Sequence, residues 1–571
     1  MHNLKLFLLI VFLLSLNPVI IAQSSEEEPS GFIRINQIGY YPNAIKKAVI
    51  ASPSEKLNFQ VVDLKSGETV FKGTLSEKIE WELSGETVRI ADFTDVSAPG
   101  SYMITVEGIG RSYPFEINKN VLHNVLLGSV KGLYFQRSGT SLPKKYAGKW
   151  HREMGHPDTL ALFHESSGET KGGKASPKGW YDAGDYNKYV INGSFPLGQF
   201  FMLYERYPEL MGDHTLNIPE SGNQISDYLD ELKYELDWLL TMQDDDGGLF
   251  HKLTTKKFEG MVMPNEATNQ RYIVGKGTAG TLDFAASTAM AYRVYKNINK
   301  PFADSCLKAA KEAYAWAELH PDVAFENPND IHTGQYGDDD FTDEWFWARS
   351  ELFLATKDQA YLNRLLEMEL DFSFQPGESW TEFMRFIGMF SLMENKADIP
   401  QELFDKLQEG ILATADDLVL KASNNAYRQP IDDFHWGSNS DVLNAVMICA
   451  QAYRLNPKFE YLNNVQQAAD YILGNNALGF SFVTGFGAKP PLLIHHRQSS
   501  ADGIEDPVPG LLSGGSNSRR QDEKDGTVYP ENVPPMKSWV DQEPSYASNE
   551  ICLNWNAPLT YILGFLEAES K

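Results

Sequence analysis

The hydrophobic pattern of the chain changes its period near residue 120, and this change constrains the fold more than any other feature. From residue 31 to about residue 118, apolar and polar residues alternate, as in LNFQVVDL and SYMITVEG, with turn signals such as KSGET between the runs. Farther along, apolar residues recur at helical spacing in about a dozen segments, such as NQISDYLDELKYELDWLLTMQ. Alternation is typical of strands, and the longer spacing is typical of helices. The sequence therefore indicates two kinds of domain.

We therefore predict a multidomain chain, with a β-sandwich over residues 31–118 and an all-helical domain over residues 120–571. Many of the predicted helices are followed by long loops rich in Gly, Pro and Asn. Loops of this length are usually functional, so we expect the site in the helical domain. The periodicity predicts helices and leaves their arrangement open.

The first 22 residues have the pattern of a signal peptide. Lys5 precedes an apolar run that ends at the small residue Ala22, near which cleavage is expected. Asn17 and Pro18 interrupt the run, and no Cys follows it that could carry a lipid. We expect an exported protein, periplasmic or secreted, without a membrane anchor after cleavage.

Charge and cysteine content exclude several classes of protein. The formal net charge of -27 would repel nucleic acid and disfavours a polyanionic substrate, whereas a neutral ligand remains compatible. The three cysteines Cys306, Cys449 and Cys552 are odd in number and far apart, which argues against a disulfide framework. The sequence leaves the oligomeric state open.

Two aspartates stand three residues apart in GWYDAGDYNKYV, residues 179–190. Asp182 and Asp185 are separated only by Ala183 and Gly184, and such a run can be a plain turn. Aromatic residues flank the pair on both sides: Trp180, Tyr181, Tyr186 and Tyr189. Aromatic rings are costly on a plain solvent loop, and beside carboxylates they suit the binding of a sugar.

Three other segments carry candidate functional residues. His495, His496 and Arg497 follow a Gly/Pro-rich loop in SFVTGFGAKPPLLIHHRQ, and they suit either a buried structural trio or hydrogen bonds to hydroxyl groups. Trp436 stands beside Gly in DDFHWGSNSDVLN. Glu550 in SYASNEICLNWNAPLTYILGF precedes the last predicted helix, where it suits a capping role or, in apolar surroundings that raise its pKa, an acid. A carboxylate pair with a distant acid is the set that glycoside hydrolysis requires.

Four motifs, in order, resemble those of glycoside hydrolase family 9, the cellulase family whose members include an N-terminal immunoglobulin-like (Ig-like) domain. They are INQIGYYP (residues 35–42), GWYDAGDYNKYV, SFVTGFGAKPPLLIHHR and NEICLNWNAPLTYILGF. The resemblance extends from about residue 31 to the C-terminus. It implies an Ig-like β-sandwich followed by an (α/α)6 barrel, and hydrolysis with inversion of the anomeric configuration.

The resemblance also implies roles for individual residues. Asp185 would be the general base that activates water, Asp182 would position that water, and Glu550 would be the general acid. His496 would be a structural neighbour of the binding residues. The residues expected to bind substrate are His495, Arg497, Trp436, Trp555, Trp180 and Tyr186.

Asp343 and Glu344, in FTDEWFWARSEL, resemble a calcium site found in many members of the family. Oxygen ligands suit Ca²⁺, although acidic residues at the start of a helix need no metal. Both interpretations stay open, so structural Ca²⁺ is a candidate and no cofactor is expected to be required. Some members bind zinc in the loop before the base motif, where this chain has no Cys, so we expect no zinc there.

We therefore predict an endo-β-1,4-glucanase acting on β-glucan polysaccharides or oligosaccharides, with xyloglucan and mixed-linkage glucan as candidates. The sequence shows no carbohydrate-binding module after the last helix, which favours soluble substrates over crystalline cellulose. An exo-acting cellodextrinase or β-glucosaminidase on the same scaffold is the alternative. An inactive glycan-binding protein is disfavoured because Asp182, Asp185 and Glu550 are all present. The negative charge disfavours a hydrolase of acidic polysaccharides.

Overall fold

A computed structural model of the chain describes residues 28–52, 55, 57–169, 172–377 and 379–570. The predicted signal peptide, residues 1–22, lies outside the described residues. The described chain forms a domain of strands followed by a larger domain of helices, as the change of period predicts. No helix in the described part is long and apolar enough to cross a membrane.

The N-terminal domain is a sandwich of two sheets. One sheet has the order β1-β3-β7-β6, and the other has the order β2-β10-β8-β4-β5 with β9 paired to β8. All pairs are antiparallel except β2 with β10. The strands are β1 (Ile33–Arg34), β2 (Gly39–Tyr40), β3 (Lys47–Ile50), β4 (Asn58–Asp63), β5 (Thr69–Thr74), β6 (Ile79–Trp81), β7 (Glu86–Asp92), β8 (Gly100–Val106), β9 (Gly110–Arg111) and β10 (Phe115–Ile117).

The core of the sandwich comes from alternate residues of its strands. In β8 the predicted alternation places Tyr102, Ile104 and Val106 inside, each at most 3% exposed. The ring of Phe115 packs against those of Tyr40, edge to face, and Tyr102. One apolar face per sheet is the burial pattern expected of a sandwich.

The second domain contains fifteen described α-helices, twelve of which have eight or more residues. They are α1 (His123–Phe135), α2 (Lys144–Ala147), α3 (Val190–Arg206), α4 (Asp227–Leu239), α5 (Thr278–Tyr295), α6 (Lys300–Leu319), α7 (Thr342–Thr356), α8 (Gln359–Leu366), α9 (Met384–Glu394), α10 (Gln401–Asn424), α11 (Ser438–Leu455), α12 (Phe459–Ile472), α13 (Arg497–Ala501), α14 (Tyr546–Asn549) and α15 (Leu553–Glu569). The twelve longer helices form an inner and an outer layer.

The inner helices are α3, α5, α7, α9, α11 and α15. They pack side by side from α3 to α9, and α15 packs against both α11 and α3. Helices α3, α5, α11 and α15 are buried along nearly their whole length, whereas α6 and α10 on the outside bury one stripe. A helix surrounded by other helices needs apolar or small residues on all sides, and an outer helix needs them on one. This arrangement agrees with the (α/α)6 barrel implied by the resemblance.

A small third sheet lies within the helical domain, where the sequence patterns indicated only helices and loops. Its order is β12-β11-β15-β14-β13. The strands are β11 (Ala161–Phe163), β12 (Gly173–Lys174), β13 (Lys188–Tyr189), β14 (Phe250–Thr254) and β15 (Tyr272–Lys276). Strand β13 begins three residues after Asp185, so this sheet supports the segment that carries the aspartate pair.

The two domains are joined through buried polar contacts. Asn36 Nδ2 donates a hydrogen bond to Asp470 Oδ1 over 2.8 Å, and Tyr41 Oη donates to Glu567 Oε1 over 2.5 Å. Both Asn36 and Tyr41 belong to INQIGYYP, so this motif serves the domain interface.

Candidate active site

The aspartate pair stands on a tight turn that ends at β13. The Asp182 N–H donates to the carbonyl oxygen of Asn187 over 3.1 Å, which closes the turn. Asp185 Oδ1 accepts the Asn187 N–H over 2.6 Å, as an Asx turn does. The local preference of Asp for turns therefore holds, and the turn also orients both carboxylates.

Gly184 brings this turn against the distant segment that contains His495. A Cβ at Gly184 would stand 2.0 Å from the His495 carbonyl oxygen and 3.1 Å from Glu550 Oε1. Glycine is required here because a side chain cannot occupy that space. The Arg497 N–H and Nη1 both donate to the Gly184 carbonyl oxygen, over 3.0 and 2.9 Å. Asp182, Asp185 and Glu550 thus line one cavity of about 430 Å³.

Backbone pairing holds Glu550 beside the aspartates. Isolated bridges join Ala183 to Cys552 and His495 to Glu550. The Leu553 N–H also donates to the Asp182 carbonyl oxygen over 3.0 Å. The segment between α14 and α15, which carries Glu550, is therefore held by backbone contacts against the turn that carries Asp182 and Asp185.

Two polar side chains that the sequence did not single out hold Asp182. Asn192 Nδ2 donates to Asp182 Oδ1 over 2.6 Å, and Tyr336 Oη donates to Asp182 Oδ2 over 2.8 Å. Asn192 lies in the first turn of α3, and Tyr336 comes from the loop before α7. Asn192 follows the motif closely enough to have been suspected, whereas nothing in GQYGDD indicates that Tyr336 reaches Asp182.

Burial raises the pKa values of all three carboxyl groups. For Asp182, burial is the larger cause and the nearby Asp185 adds to it. For Asp185, burial is opposed by the positive charge of Arg497 and by hydrogen bonds from Asn187. Two carboxylates this close cannot both ionise easily, and Arg497 favours ionisation of Asp185. Asp185 is therefore the better candidate for the base.

Glu550 has the environment of an acid that keeps its proton. Burial raises its pKa well above the ordinary value, and Asp185 raises it further, while Arg497 opposes them. Two groups whose environments separate their pKa values can act as an acid and a base in one reaction.

The His-His-Arg run divides into two binding candidates and one structural residue. His496 is buried, with Nδ1 against Ser499 Oγ and Nε2 against Gln136 Oε1. His495 Nδ1 lies 2.8 Å from the carbonyl oxygen of Glu543, and burial lowers the His495 pKa to about 4. A carbonyl only accepts, so Nδ1 carries the proton and Nε2 is an acceptor. His495 therefore suits accepting a hydrogen bond from a hydroxyl group.

Aromatic side chains line the same cavity. Trp436 is 39% exposed and its ring packs against Tyr546 at 5.3 Å, while Trp555 is 7% exposed. Phe258 and Trp380 also line the cavity, and the sequence did not single them out. Arg497 lies over Phe258, with its guanidinium carbon 5.4 Å from the ring centroid. The residues predicted as platforms at 436 and 555 thus belong to a larger aromatic wall.

The predictions for Trp180 and Tyr186 need correction, because both side chains are buried away from the cavity. Trp180 is 1% exposed, and its Nε1 donates to Glu231 Oε1 over 2.8 Å. Tyr186 is 2% exposed and donates to the Val262 carbonyl oxygen over 2.6 Å. Both support the turn from behind and present no face to a ligand.

Asp343 and Glu344 lie buried at the start of α7, near Asp283 of α5 and Asp338. Asp343 Oδ2 and both carboxyl oxygens of Glu344 and Asp283 have no hydrogen-bond donor among the described residues. Burial raises the pKa of Asp343 to about 7, and burial together with repulsion from Asp343 and Asp283 raises the pKa of Glu344 well above its ordinary value. Unpaired buried carboxylates of this kind suit a hard cation. Among the described residues, no group of three or more His, Cys, Asp or Glu side chains is arranged so that it could hold a metal ion.

Two family models match the chain. The model for Glycosyl hydrolase family 9 matches residues 123–563, and the model for the Cellulase N-terminal ig-like domain matches residues 28–111. These matches agree with the order of the two domains in the structure and confirm the family and fold class predicted from the motifs.

Individual relatives cover nearly all of the chain. A xyloglucan-specific endo-beta-1,4-glucanase of Bacteroides ovatus is 40% identical over 568 residues, covering 95% of this chain and 94% of that protein. Endoglucanase D of Acetivibrio thermocellus is 36% identical over 547 residues, covering 94% and 84%. A solved structure described as Bacteroides ovatus GH9 has 38% identity and a TM-score of 0.88, covering 95% of this chain and all of that one. With both family models matched in order, the chain belongs to glycoside hydrolase family 9 and carries the N-terminal Ig-like domain of its cellulases.

Proposed function

We propose that this hydrolase cleaves internal β-1,4-glucosidic bonds in soluble β-glucans, with xyloglucan as the first substrate to test. The observation that carries the proposal is the convergence of Asp182, Asp185 and Glu550 in one cavity with exposed aromatic walls. Carboxylates on both sides of a bond and rings that stack on sugars are the requirements of glycoside hydrolysis. The choice of xyloglucan rests on the relative from Bacteroides ovatus.

In the proposed reaction, Asp185 removes a proton from water as the water attacks the anomeric carbon. Glu550 gives its proton to the departing glycosidic oxygen, which its raised pKa favours. Asp182 accepts the second hydrogen of the water, since Asn192 and Tyr336 hold its two oxygens in place. Arg497 keeps Asp185 ionised when the substrate excludes bulk water.

The binding residues are proposed from exposure and free hydrogen-bonding capacity. Trp436 offers its exposed face to a sugar ring, and Trp555 lines the same cavity as the carboxylates. His495 Nε2 accepts from a sugar hydroxyl. Arg497 donates from Nε and Nη1 to the carbonyl oxygens of Glu259 and Gly184, and its Nη2 is proposed to donate to a sugar hydroxyl.

A structural Ca²⁺ is proposed at the buried acidic residues Asp343 and Glu344, with Asp283 and Asp338 beside them. The cation would neutralise carboxylates that otherwise repel each other at the N-terminus of α7. Chelation by EGTA should then lower the melting temperature, and added Ca²⁺ should restore it while Mg²⁺ should not. An unchanged melting temperature would contradict the proposal and would mean that these carboxyl groups are protonated and bind no metal.

Export is proposed from the signal-peptide pattern of residues 1–22. N-terminal sequencing of the protein recovered from culture medium or periplasm should find a start near Gln23. A start at Met1 would contradict it.

The test of function is a substrate panel with two readouts. Xyloglucan, barley β-glucan, carboxymethyl cellulose, cellobiose and chitobiose are compared by reducing-sugar release and by viscosity. Internal cleavage predicts an early fall in viscosity on xyloglucan before much reducing sugar appears. Release of cellobiose or glucose without a fall in viscosity would favour the exo-acting cellodextrinase, and activity on chitobiose alone the glucosaminidase.

A further inference from the structure

Lys252 is a buried cation in the sheet behind the candidate base. It lies in β14, directly opposite Tyr189 of β13, and its side chain is 0% exposed. A lysine is almost never buried fully unless its charge is used or balanced. Tyr189, its partner in the sheet, follows Asp185 by four residues, so the charge lies beside the strand that follows the aspartate turn.

The ammonium group has hydrogen-bond partners, all of them neutral. Lys252 Nζ donates to Asn327 Oδ1 over 2.6 Å, to the Gly334 carbonyl oxygen over 2.7 Å and to Thr333 Oγ1 over 3.3 Å. These three bonds satisfy the donors of the ammonium group and leave its positive charge uncancelled. The charge therefore acts on ionisable groups farther away.

The anions that influence Lys252 are Asp185 and Asp182. Burial lowers the pKa of Lys252 to about 7, while both aspartates act to raise it. The rings of Tyr189 and Phe325 flank the ammonium, each with its centroid 5.5 Å from Nζ. Since electrostatic effects are mutual, the ammonium stabilises the ionised aspartates in return.

Other charged and titratable groups also surround the aspartate pair. Arg497 and Arg271 favour the ionised form of Asp185, and the buried Glu550 opposes it. The groups facing the pair from neighbouring segments are Arg497, Arg271, Lys252, Glu550, Tyr189, Tyr336 and Cys552. Arg497 and Arg271 donate to the carbonyl oxygens of Gly184 and Tyr186 in the turn itself. The hydrogen bonds of Lys252 go to Asn327, Thr333 and Gly334 outside the turn, so its charge can be changed without breaking a contact to the turn.

We propose that Lys252 is a positioning residue for hydrolysis, whose buried positive charge keeps the Asp182–Asp185 pair ionised in the pH range where the enzyme works. The inference rests on the proposed role of Asp185 as the base. Below pH 7 the lysine is charged, so its effect falls on the acidic side of the activity profile. Removing or neutralising this charge makes the base protonate at a higher pH.

Asn327 allows a test that leaves the lysine in place. Asn327→Asp is nearly isosteric and puts a carboxylate 2.6 Å from Nζ, which cancels the charge. Asn327→Ala removes the hydrogen bond to Nζ and leaves the charge, and both variants lose the hydrogen bond from Asn327 Nδ2 to the Thr333 carbonyl oxygen. The acidic limb of kcat/KM against pH reports the base in the free enzyme, so it is the quantity to measure on a soluble oligosaccharide.

The acidic limb should move up by about one pH unit in Asn327→Asp and in Lys252→Met, and stay in place in Asn327→Ala. If Asn327→Asp folds and its limb coincides with that of Asn327→Ala, Lys252 does not set the ionisation of the pair. A limb that moves equally in both Asn327 variants would assign the effect to loop position and overturn the proposal. Asp185→Asn tests the underlying role separately, because it should abolish activity whether or not Lys252 acts in this way.

Discussion

A Cβ on Gly184 would stand 2.0 Å from the carbonyl oxygen of His495, so the turn that carries the aspartate pair and the segment at His495 touch backbone to backbone. His495 in turn is paired with Glu550. This contact sets the position of the candidate base relative to the candidate acid.

Gly184→Ala should therefore lower activity much more than stability. The added methyl group must push the turn away from His495, and a displacement of about 1 Å between reacting groups can cost about 10²-fold in rate. We expect a fall in kcat of that order, measured on xyloglucan, with a cooperative unfolding transition retained.

The matched control is Gly212→Ala, where a Cβ would meet only Thr215 Cγ2, at 3.9 Å. This variant should keep full activity. Equal activity of the two alanine variants would show that the close approach of the backbones has no role in aligning the site.

The acid and base roles can be separated with leaving groups. Glu550→Ala and Asp185→Ala should each lose about 10²–10⁴-fold in activity on polysaccharide. A dinitrophenyl cellobioside needs little protonation of its leaving oxygen, so Glu550→Ala should regain much of its rate there. Asp185→Ala should not, because water still needs a base. Equal recovery in both variants would contradict the assignment.

Most of the fold was predictable because, in long segments, the spacing of apolar residues alone distinguishes a helix from a strand. The alternation in β8 and the continuous stripes of the long helices follow directly from which faces are buried. The third sheet was missed since its strands have two to five residues, too few for a period, and since β14 is buried on both faces. Its pairing depends on segments far apart in the chain.

The site was predictable where its residues lie within a motif, as Asp182, Asp185 and Glu550 do. Trp180 was predicted to bind substrate because it stands close to the aspartate pair in the sequence. Neighbouring residues on a turn can face opposite sides, and Trp180 faces Glu231 and the core. Tyr336 was beyond prediction. It reaches Asp182 only through the packing of α3 against the loop before α7, which no local pattern records.

Trp436 and Trp180 should respond differently to substitution, which tests the corrected assignment. Trp436→Ala should raise KM on xyloglucan several-fold and leave the melting temperature nearly unchanged, because an exposed stacking face contributes about 0.5–1.5 kcal/mol. Trp180→Ala should lower the melting temperature by several degrees, because a fully buried ring leaves a cavity. An unchanged KM for Trp436→Ala would remove this residue from the substrate path.

Asp470 should make the stability of the domain interface depend on pH. Burial raises the pKa of Asp470 to about 7, while hydrogen bonds from Asn36 and Gln466 oppose the shift. A carboxyl group whose pKa is raised on folding contributes its full stability below the unfolded pKa, near 4, and loses it as pH rises through the folded value. Asp470→Asn should therefore raise the melting temperature more at pH 8 than at pH 5.

The control for this prediction is Asp304→Asn, on the exposed surface of α6, which should shift the melting temperature little and equally at both pH values. A gain from Asp470→Asn that is the same at pH 5 and pH 8 would show that the carboxyl group is not charged at the interface. The measurement is a thermal unfolding curve in buffers of equal ionic strength.

The stereochemistry of the first product tests the proposed single displacement by water. If Asp185 activates water on one face of the sugar while Glu550 protonates the other side, the configuration inverts in one step. A β-glucan then yields the α-anomer first, which proton NMR detects before mutarotation mixes the two forms. Asp182 gives a structural reason for this expectation. Its oxygens are fixed by Asn192 and Tyr336 beside Asp185, which suits holding a water molecule and is not needed by a carboxylate that attacks carbon itself. An initial β-anomer would instead require a covalent intermediate, with Asp185 as its nucleophile.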